Sequence, residues 1–329
     1  MTTPQHGAAR TPTSPPLFAQ HAARELDTWR AWHGLAYQAR LLPNILRAHR
    51  LKAATHGHVY AQPFTLTERL HAQWRHAFQA PTGHGGVLQT CHVHLSRDYL
   101  FTTLARLGLN FANVMHLGVR LGWEADFHGY KARQPYVFHA RLKACVRMGE
   151  RRVALDFETE ITTLSGRSLM RQDDTMLVDR LPPALLDQLA PVQHGPDATW
   201  YEALRGLRHA QPHLQPDHAS ARQAIVIPKD QGRRYGQLSG DLNPLHTQHW
   251  LARRLGHPAA FVQGLYTANL MLAHLRRHQP ANRHLAIRFC RPVFTGQTVE
   301  LLSDAARCEL HDARRQLLVS ASMAAAEAV

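Results

Sequence analysis

Two stretches of the chain repeat one order of hydrophobic patterns: an apolar run of helical length, then strand-length segments of alternating polarity. In the first, Tyr99–Leu107 (Y-L-F-T-T-L-A-R-L) is apolar on nearly every side, which predicts a helix buried all round. A strand follows from Tyr136 to Arg147. In the next segment Val153, Leu155, Phe157, Thr159 and Ile161 fall on one face at a period of two. Gly149-Glu150 and Ser165-Gly166 supply turns, so this unit reads as an antiparallel meander after a helix. The second unit opens with a short strand, Ala224–Ile227, and a loop marked by Gly and Pro from Gly236 to His246, where a regular helix or strand is not expected. A long apolar helix, Gly264–Leu275, comes next, and three strands close the chain: His284–Cys290, Thr298–Ser303 and Gln316–Met323. The shared order predicts an α+β protein of two similar halves, as a domain duplication produces.

Punctuation between these patterns divides the chain. Residues 1–16 are rich in Pro, Thr and Ser and read as a disordered tail. Residues 17–85 read as a helical N-terminal extension, which Pro43 must kink or divide. The first unit then spans 86–181, a Pro-rich linker 182–220, and the second unit 221–329.

At 329 residues the chain has room for two medium domains, and 44% apolar residues supply a substantial core. No run approaches the roughly 20 apolar residues that span a bilayer. The N-terminus lacks the apolar stretch of a secretory signal, so the expected location is cytoplasmic. Cys91, Cys145, Cys290 and Cys308 are scattered and read as reduced, mostly buried thiols. The net charge of +14 favours anionic partners, among them nucleic acid, a membrane surface or a phosphate-bearing carrier. No block of like charges or basic-aromatic interleaving points to nucleic acid, so neither nucleic-acid binding nor integral membrane association is expected.

Chemistry concentrates in one place. Tyr235–His246 presents Ser239, Asp241, Asn243 and His246 within eight residues. A carboxylate and an imidazole five positions apart on a turn can converge on one water molecule. Adding that water to an activated double bond needs a group to take its proton and a group to deliver one to the neighbouring carbon.

The segment Y-G-Q-L-S-G-D-L-N-P-L-H resembles the hydratase motif of the MaoC-like, (R)-specific enoyl-CoA hydratase (hydratase 2) family. The resemblance continues through L-A-R-R-L-G and G-L-Y-T-A-N to R-F-C-R-P-V-F-T-G-Q-T-V-E-L, covering about Ile225–Leu302. It implies a double hot-dog fold, two long helices each wrapped by a curved antiparallel sheet, in which only the second half keeps the catalytic motif. Residues 1–220 contain no second G-D-x-N-P-x-H, in keeping with that pattern.

On this resemblance Asp241 and His246 activate water for addition to C3 of a trans-2-enoyl thioester, or its removal from an (R)-3-hydroxyacyl thioester. Asn243 orients the loop or His246, Ser239 hydrogen-bonds nearby, and Gly264 offers its N–H to the thioester oxygen at a helix N-terminus. The chain has Gln263 where the family usually has His, and Gln248-His249 where an Asp/Ser-Pro pair is common. The substrate arrives on coenzyme A or acyl carrier protein, and no separate cofactor is implied. A homodimer is compatible with the pattern.

Arg233, Arg234, Arg288 and Arg291 flank this half and are candidates for holding carrier phosphates. His92 and His94 fall on one face of an expected strand but have no evident third ligand, and His56 and His58 share that weakness, so no metal site is expected. Two other readings compete with the hydro-lyase: a non-catalytic acyl-thioester binding or scaffold protein, suggested by Gln263, and an acyl-CoA thioesterase on the same fold.

Overall fold

The computed structural model describes residues 23–28, 39, 59–78, 90–189, 197–278 and 281–323. The expected tail 1–16, the Pro43 kink, and His56 and His58 lie outside the described residues.

Among the described residues eleven strands form one sheet, in the order β1-β2-β4-β5-β6-β3-β8-β11-β10-β9-β7. Its first half comprises β2 (Tyr60–Leu66), β3 (Val114–Trp123), β4 (Tyr136–Gly149), β5 (Arg152–Thr162) and β6 (Ser168–Val178). Its second comprises β7 (Ala221–Val226), β8 (His284–Phe289), β9 (Thr298–Ser303), β10 (Arg307–His311) and β11 (Leu317–Ser322). Read inward from either edge, each half places its first, third, fourth, fifth and second strands in that order. The halves meet where β3 pairs antiparallel with β8, Gly118 opposite Arg288 and Gly122 opposite His284. The small strand β1 (Arg24–Leu26) adds parallel to β2.

Each half supplies a long helix: α2 (Val93–Arg106) in the first and α8 (Gly264–His278) in the second. Tyr266, Ala268, Met271, Leu272, Ala273 and Leu275 of α8 are buried with Val119, Leu121, Ile287 and Val319 of the central strands, so one core crosses the junction. The exclusion of this apolar surface from water makes the two halves a single hydrophobic body.

Several expectations need correction. The N-terminal extension is not simply helical: its described part contributes β1, β2 and one helix, α1 (Glu68–Phe78). The first half's sheet therefore begins at β2, well before residue 86. The second half ends in four strands rather than three, because R-C-E-L-H forms β10. Glu309 and His311 within it are buried yet paired: Glu309 accepts from the Nε2 of His311 at 2.8 Å and from the backbone N–H groups of His213 and Leu214 at 3.1 Å.

Nor is 182–220 a bare linker. It carries α3 (Pro183–Gln188) and α4 (Ala198–Arg205), and Asp197 caps α4 by accepting from the Trp200 N–H at 3.0 Å. Trp200, Tyr201 and Leu204 are buried against Val146 and Ala154 on the outer face of β4 and β5. Beneath them the fully buried Asp156 accepts from Thr175 Oγ1 at 2.8 Å and Tyr201 Oη at 3.0 Å, and burial raises its pKa. Arg120 pairs with both Asp173 (2.9 Å) and Asp197 (2.8 Å) and lies 5.3 Å from the Trp200 ring. These contacts explain why β5 is buried on both faces although its sequence alternates. Trp200→Ala is expected to lower the unfolding free energy by about 3 kcal/mol in urea titration. An unchanged midpoint would show that α4 contributes nothing to the folded core.

Candidate active site

The site is built on a close return of the chain. Residues Gln231–Ser239 form a helix, α5, not the irregular loop that Gly236 suggests. Gly232, Gly236 and Gly240 recur every fourth residue and so lie along one side of it. A Cβ at Gly232 would run into the backbone carbonyl of His246, and one at Gly236 would stand 2.7 Å from the Asp241 carbonyl oxygen. Glycine inside a helix costs up to about 1 kcal/mol relative to alanine. Here that cost is the condition for the segment after α5 to pack back onto it. Gly240 ends the helix at φ +75°, the left-handed conformation of a C-terminal cap, and a side chain there would strike Arg97 and His94.

The segment that returns carries the polar groups. The Asp241 N–H donates to the Oγ of the fully buried Ser239 at 3.2 Å, and the Asn243 N–H donates to Asp241 Oδ1 at 3.3 Å. Asn243 then caps the short helix α6 (Pro244–Thr247), its Oδ1 accepting from the Leu245 N–H at 3.1 Å, with Pro244 in the first helical position. Asn243 thus sets the direction of the turn on which His246 rides.

His246 Nδ1 lies 2.8 Å from the Phe261 carbonyl oxygen. A carbonyl can only accept, so Nδ1 carries the proton and the neutral ring leaves its lone pair on Nε2. That nitrogen faces Asp241 Oδ2 at 3.9 Å, with the two side chains 13% and 24% exposed. The separation is too long for a direct hydrogen bond, but one atom about 2.8 Å from each could bridge them.

Gln263 fixes the other side of the turn. Its Nε2 donates to the Asp241 carbonyl at 2.7 Å and to the Gly232 carbonyl at 3.0 Å. An amide nitrogen has two hydrogens for these two acceptors, whereas one imidazole nitrogen has at most one. The substitution of Gln for the usual His therefore serves the backbone that positions Asp241.

Gly264 begins α8, and its N–H has no acceptor within the helix. The Cβ position at Gly264 lies 3.2 Å from the Phe289 ring and 3.4 Å from Nδ1 of His116, a residue of the first half. Asn269, five residues further along α8, accepts from the Thr90 N–H at 3.2 Å and donates to Thr90 Oγ1 at 3.1 Å and Tyr235 Oη at 3.3 Å. Tyr235 of α5 is also enclosed by Trp74 and Phe78 of α1 and Tyr266 of α8, with ring centroids 5.6–6.2 Å apart. Burial pushes its phenol well above the ordinary range, and the charge of Asp241 adds to that.

The four arginines do not share one anchor. Arg233 and Arg234 are exposed on the first turn of α5 and lie 4.0 and 2.8 Å from Asp230. Arg288 donates to Ser320 Oγ at 3.2 Å, and Arg291 to the Leu317 carbonyl at 2.8 Å. His92 and His94 stand at the start of α2 rather than on a strand, and both are buried. His92 contacts Tyr130 Oη at 2.8 Å and Gln172 Oε1 at 3.1 Å, while His94 Nε2 contacts the Leu238 carbonyl at 2.9 Å. Burial lowers their pKa values to about 4 and about 3. Among the described residues no three His, Cys, Asp or Glu side chains form a metal-binding group. All four cysteines are free thiols, three of them buried. No described helix is long and apolar enough to cross a membrane.

Residues 212–325 match the model of the MaoC like domain. The chain carries a MaoC-like domain. Over 127 residues it is 28% identical to 3-hydroxyacyl-thioester dehydratase X of Mycobacterium tuberculosis, covering 36% of this chain and 45% of that protein. Over 101 residues it is 39% identical to 3-hydroxyacyl-thioester dehydratase Y of the same organism, covering 29% of this chain and 34% of that one. The chain thus spans less than half the length of these curated relatives. The crystal structure of HtdX from M. tuberculosis superposes with a TM-score of 0.58 at 17% identity, covering 80% of this chain and 98% of that one. A MaoC-like dehydratase from Phytophthora capsici superposes at 0.64 and 12% identity, covering 85% and 99%. At such identities the likeness speaks for the fold, which is the double hot-dog.

The bare face of α5 yields a direct test. Gly232→Ala drives a methyl group into the His246 carbonyl and is expected to destabilise the protein by about 2 kcal/mol, a shift readable in chemical denaturation. A variant as stable as the parent would show that the return onto α5 is not close-packed.

Proposed function

We propose that the chain is a hydro-lyase that adds water to trans-2-enoyl thioesters and removes it from (R)-3-hydroxyacyl thioesters. One observation carries the reading: His246 Nε2 and Asp241 Oδ2 face each other across 3.9 Å, with Nδ1 pinned to the Phe261 carbonyl. A water held by both groups has an acceptor on each side. As its oxygen bonds to C3, one of its protons passes to this pair and the pair returns a proton to C2, so the double bond is consumed and the enzyme ends in its starting protonation state. The electron density that gathers on the thioester oxygen meets the Gly264 N–H at the start of α8. Asn243 and Ser239 hold the turn, and Gln263 holds the Asp241 backbone.

This role for Gln263 favours catalysis over a binding-only function, since the departure supports the pair. The acyl group arrives on coenzyme A or acyl carrier protein in a cytoplasmic setting, and Arg233 and Arg234 meet the carrier phosphates. Arg288 and Arg291 are only partly exposed and are held by Ser320 and the Leu317 carbonyl, so they are weaker candidates than the exposed Arg233 and Arg234.

Hydration of crotonyl-CoA, followed by loss of enoyl ultraviolet absorbance with chiral analysis of the product, tests the reading. Asp241→Asn and His246→Ala are each expected to reduce kcat/KM by roughly 10²–10⁴-fold. Parent rates in both variants would end the proposal. Release of free thiol in place of hydration would identify a thioesterase, and tight binding without turnover a scaffold.

A further inference from the structure

His116 belongs to the first half, which lacks the G-D-x-N-P-x-H motif, yet it faces the start of α8. It sits where the β3–β6 register slips, His116 opposite Met176 and Gly118 opposite Thr175. Such a bulge takes a side chain out of strict alternation and re-aims it. The imidazole packs on Phe289 with ring centroids 4.7 Å apart.

A polar chain backs this ring from inside the first half. His116 Nε2 lies 3.0 Å from Asp174 Oδ1 on β6. The other oxygen of Asp174 accepts from Gln172 Nε2 at 2.6 Å. Gln172 then has only Oε1 to offer His92 Nε2, 3.1 Å away, so that nitrogen donates and His92 Nδ1 accepts from Tyr130 Oη at 2.8 Å. The chain ends on the Asp174 carboxylate, whose Oδ1 faces His116 Nε2 at 3.0 Å as an ion-pair contact without the alignment of a hydrogen bond. His116 Nδ1 is left at the free end with no hydrogen-bond partner among the described residues, on a side chain 18% exposed. A packing histidine has no need of four buried polar groups to hold one nitrogen outward.

We propose that His116 is the first half's contribution to the active site, its Nδ1 contacting the thioester oxygen beside the Gly264 N–H, and that Asp174 is the residue that positions it. This rests on the hydro-lyase reading. Donation from Nδ1 while Nε2 stays on Asp174 requires both ring protons, an imidazolium with Asp174 as its counter-ion. Charge-assisted donors of this kind act most where negative charge grows, so their effect falls on kcat rather than on KM.

The test is steady-state hydration of crotonyl-CoA by the full chain, with thermal unfolding measured in parallel. His116→Ala is expected to lower kcat roughly 10²-fold, the scale of one lost oxyanion donor, with KM moved less than about threefold. His116→Gln, which keeps an N–H, should recover about tenfold of that loss. Asp174→Asn should lower kcat with KM unchanged while the fold is retained. If the alanine variant does not fold, the Gln and Asn variants decide. A parent enzyme that turns over, loses activity in Asp241→Asn and keeps kcat within twofold in the His116 and Asp174 variants overturns this inference and leaves the hydro-lyase standing. A parent with no turnover on any enoyl thioester overturns both.

Discussion

The site depends on one close approach, the backbone from Asp241 to His246 lying directly on the glycine side of α5. Nothing larger than hydrogen fits at Gly232 beneath the His246 carbonyl. That contact sets the height of the turn over the helix, and the two hydrogen bonds from Gln263 Nε2 tie Gly232 and Asp241 together from the other side. With the backbone fixed in this way, the side chains have little choice. Asp241 is directed by Ser239 and Asn243, and His246 by the Phe261 carbonyl. The pair faces across 3.9 Å because its supports are rigid. The two side chains do not hydrogen-bond each other.

The first half is more than a scaffold for the second. Through α1 it supplies Trp74 and Phe78, which close around Tyr235 on the underside of α5. Ahead of α2, Thr90 is bound to Asn269 of α8 by two hydrogen bonds. His94 reaches the Leu238 carbonyl near the end of α5. The first half carries no G-D-x-N-P-x-H motif, so its polar residues are free of the constraint that motif imposes. They can specialise in buttressing, and the buried histidines at the start of α2 do so in a neutral form that needs no counter-charge.

Much of this is legible in the amino-acid sequence. The Asp241–His246 spacing, the helix beginning at Gly264 and the alternation of β5 are local patterns, and local patterns survive in one dimension. Gly232, Gly236 and Gly240 were equally visible but pointed to a loop, because propensity counts the cost of glycine and cannot see a carbonyl packed against it. β10 was hidden for a related reason. Glu and His side chains ordinarily face water, whereas Glu309 and His311 satisfy each other inside the protein. The helices of 182–220 were masked by their prolines, although Asp197 three residues before Trp200 is a capping signal. His116 left no signal at all: a one-residue register slip against β6 is a property of two strands together.

These failures share a physical cause. A pattern of polar and apolar residues reports which face meets water, and it misleads where a polar residue finds its partner inside. Asp156, Gln172, Asp174 and Glu309 all lie on strands and all are buried. Each is held by hydrogen bonds or an ion pair to residues distant in the chain, as a buried polar group must be to avoid a desolvation cost of several kcal/mol. Two of the four, Asp156 and Glu309, fasten the 182–220 segment to the outside of the sheet. The other two run inward toward His116. Polar burial in this fold therefore marks the places where a segment is clasped or a side chain is aimed.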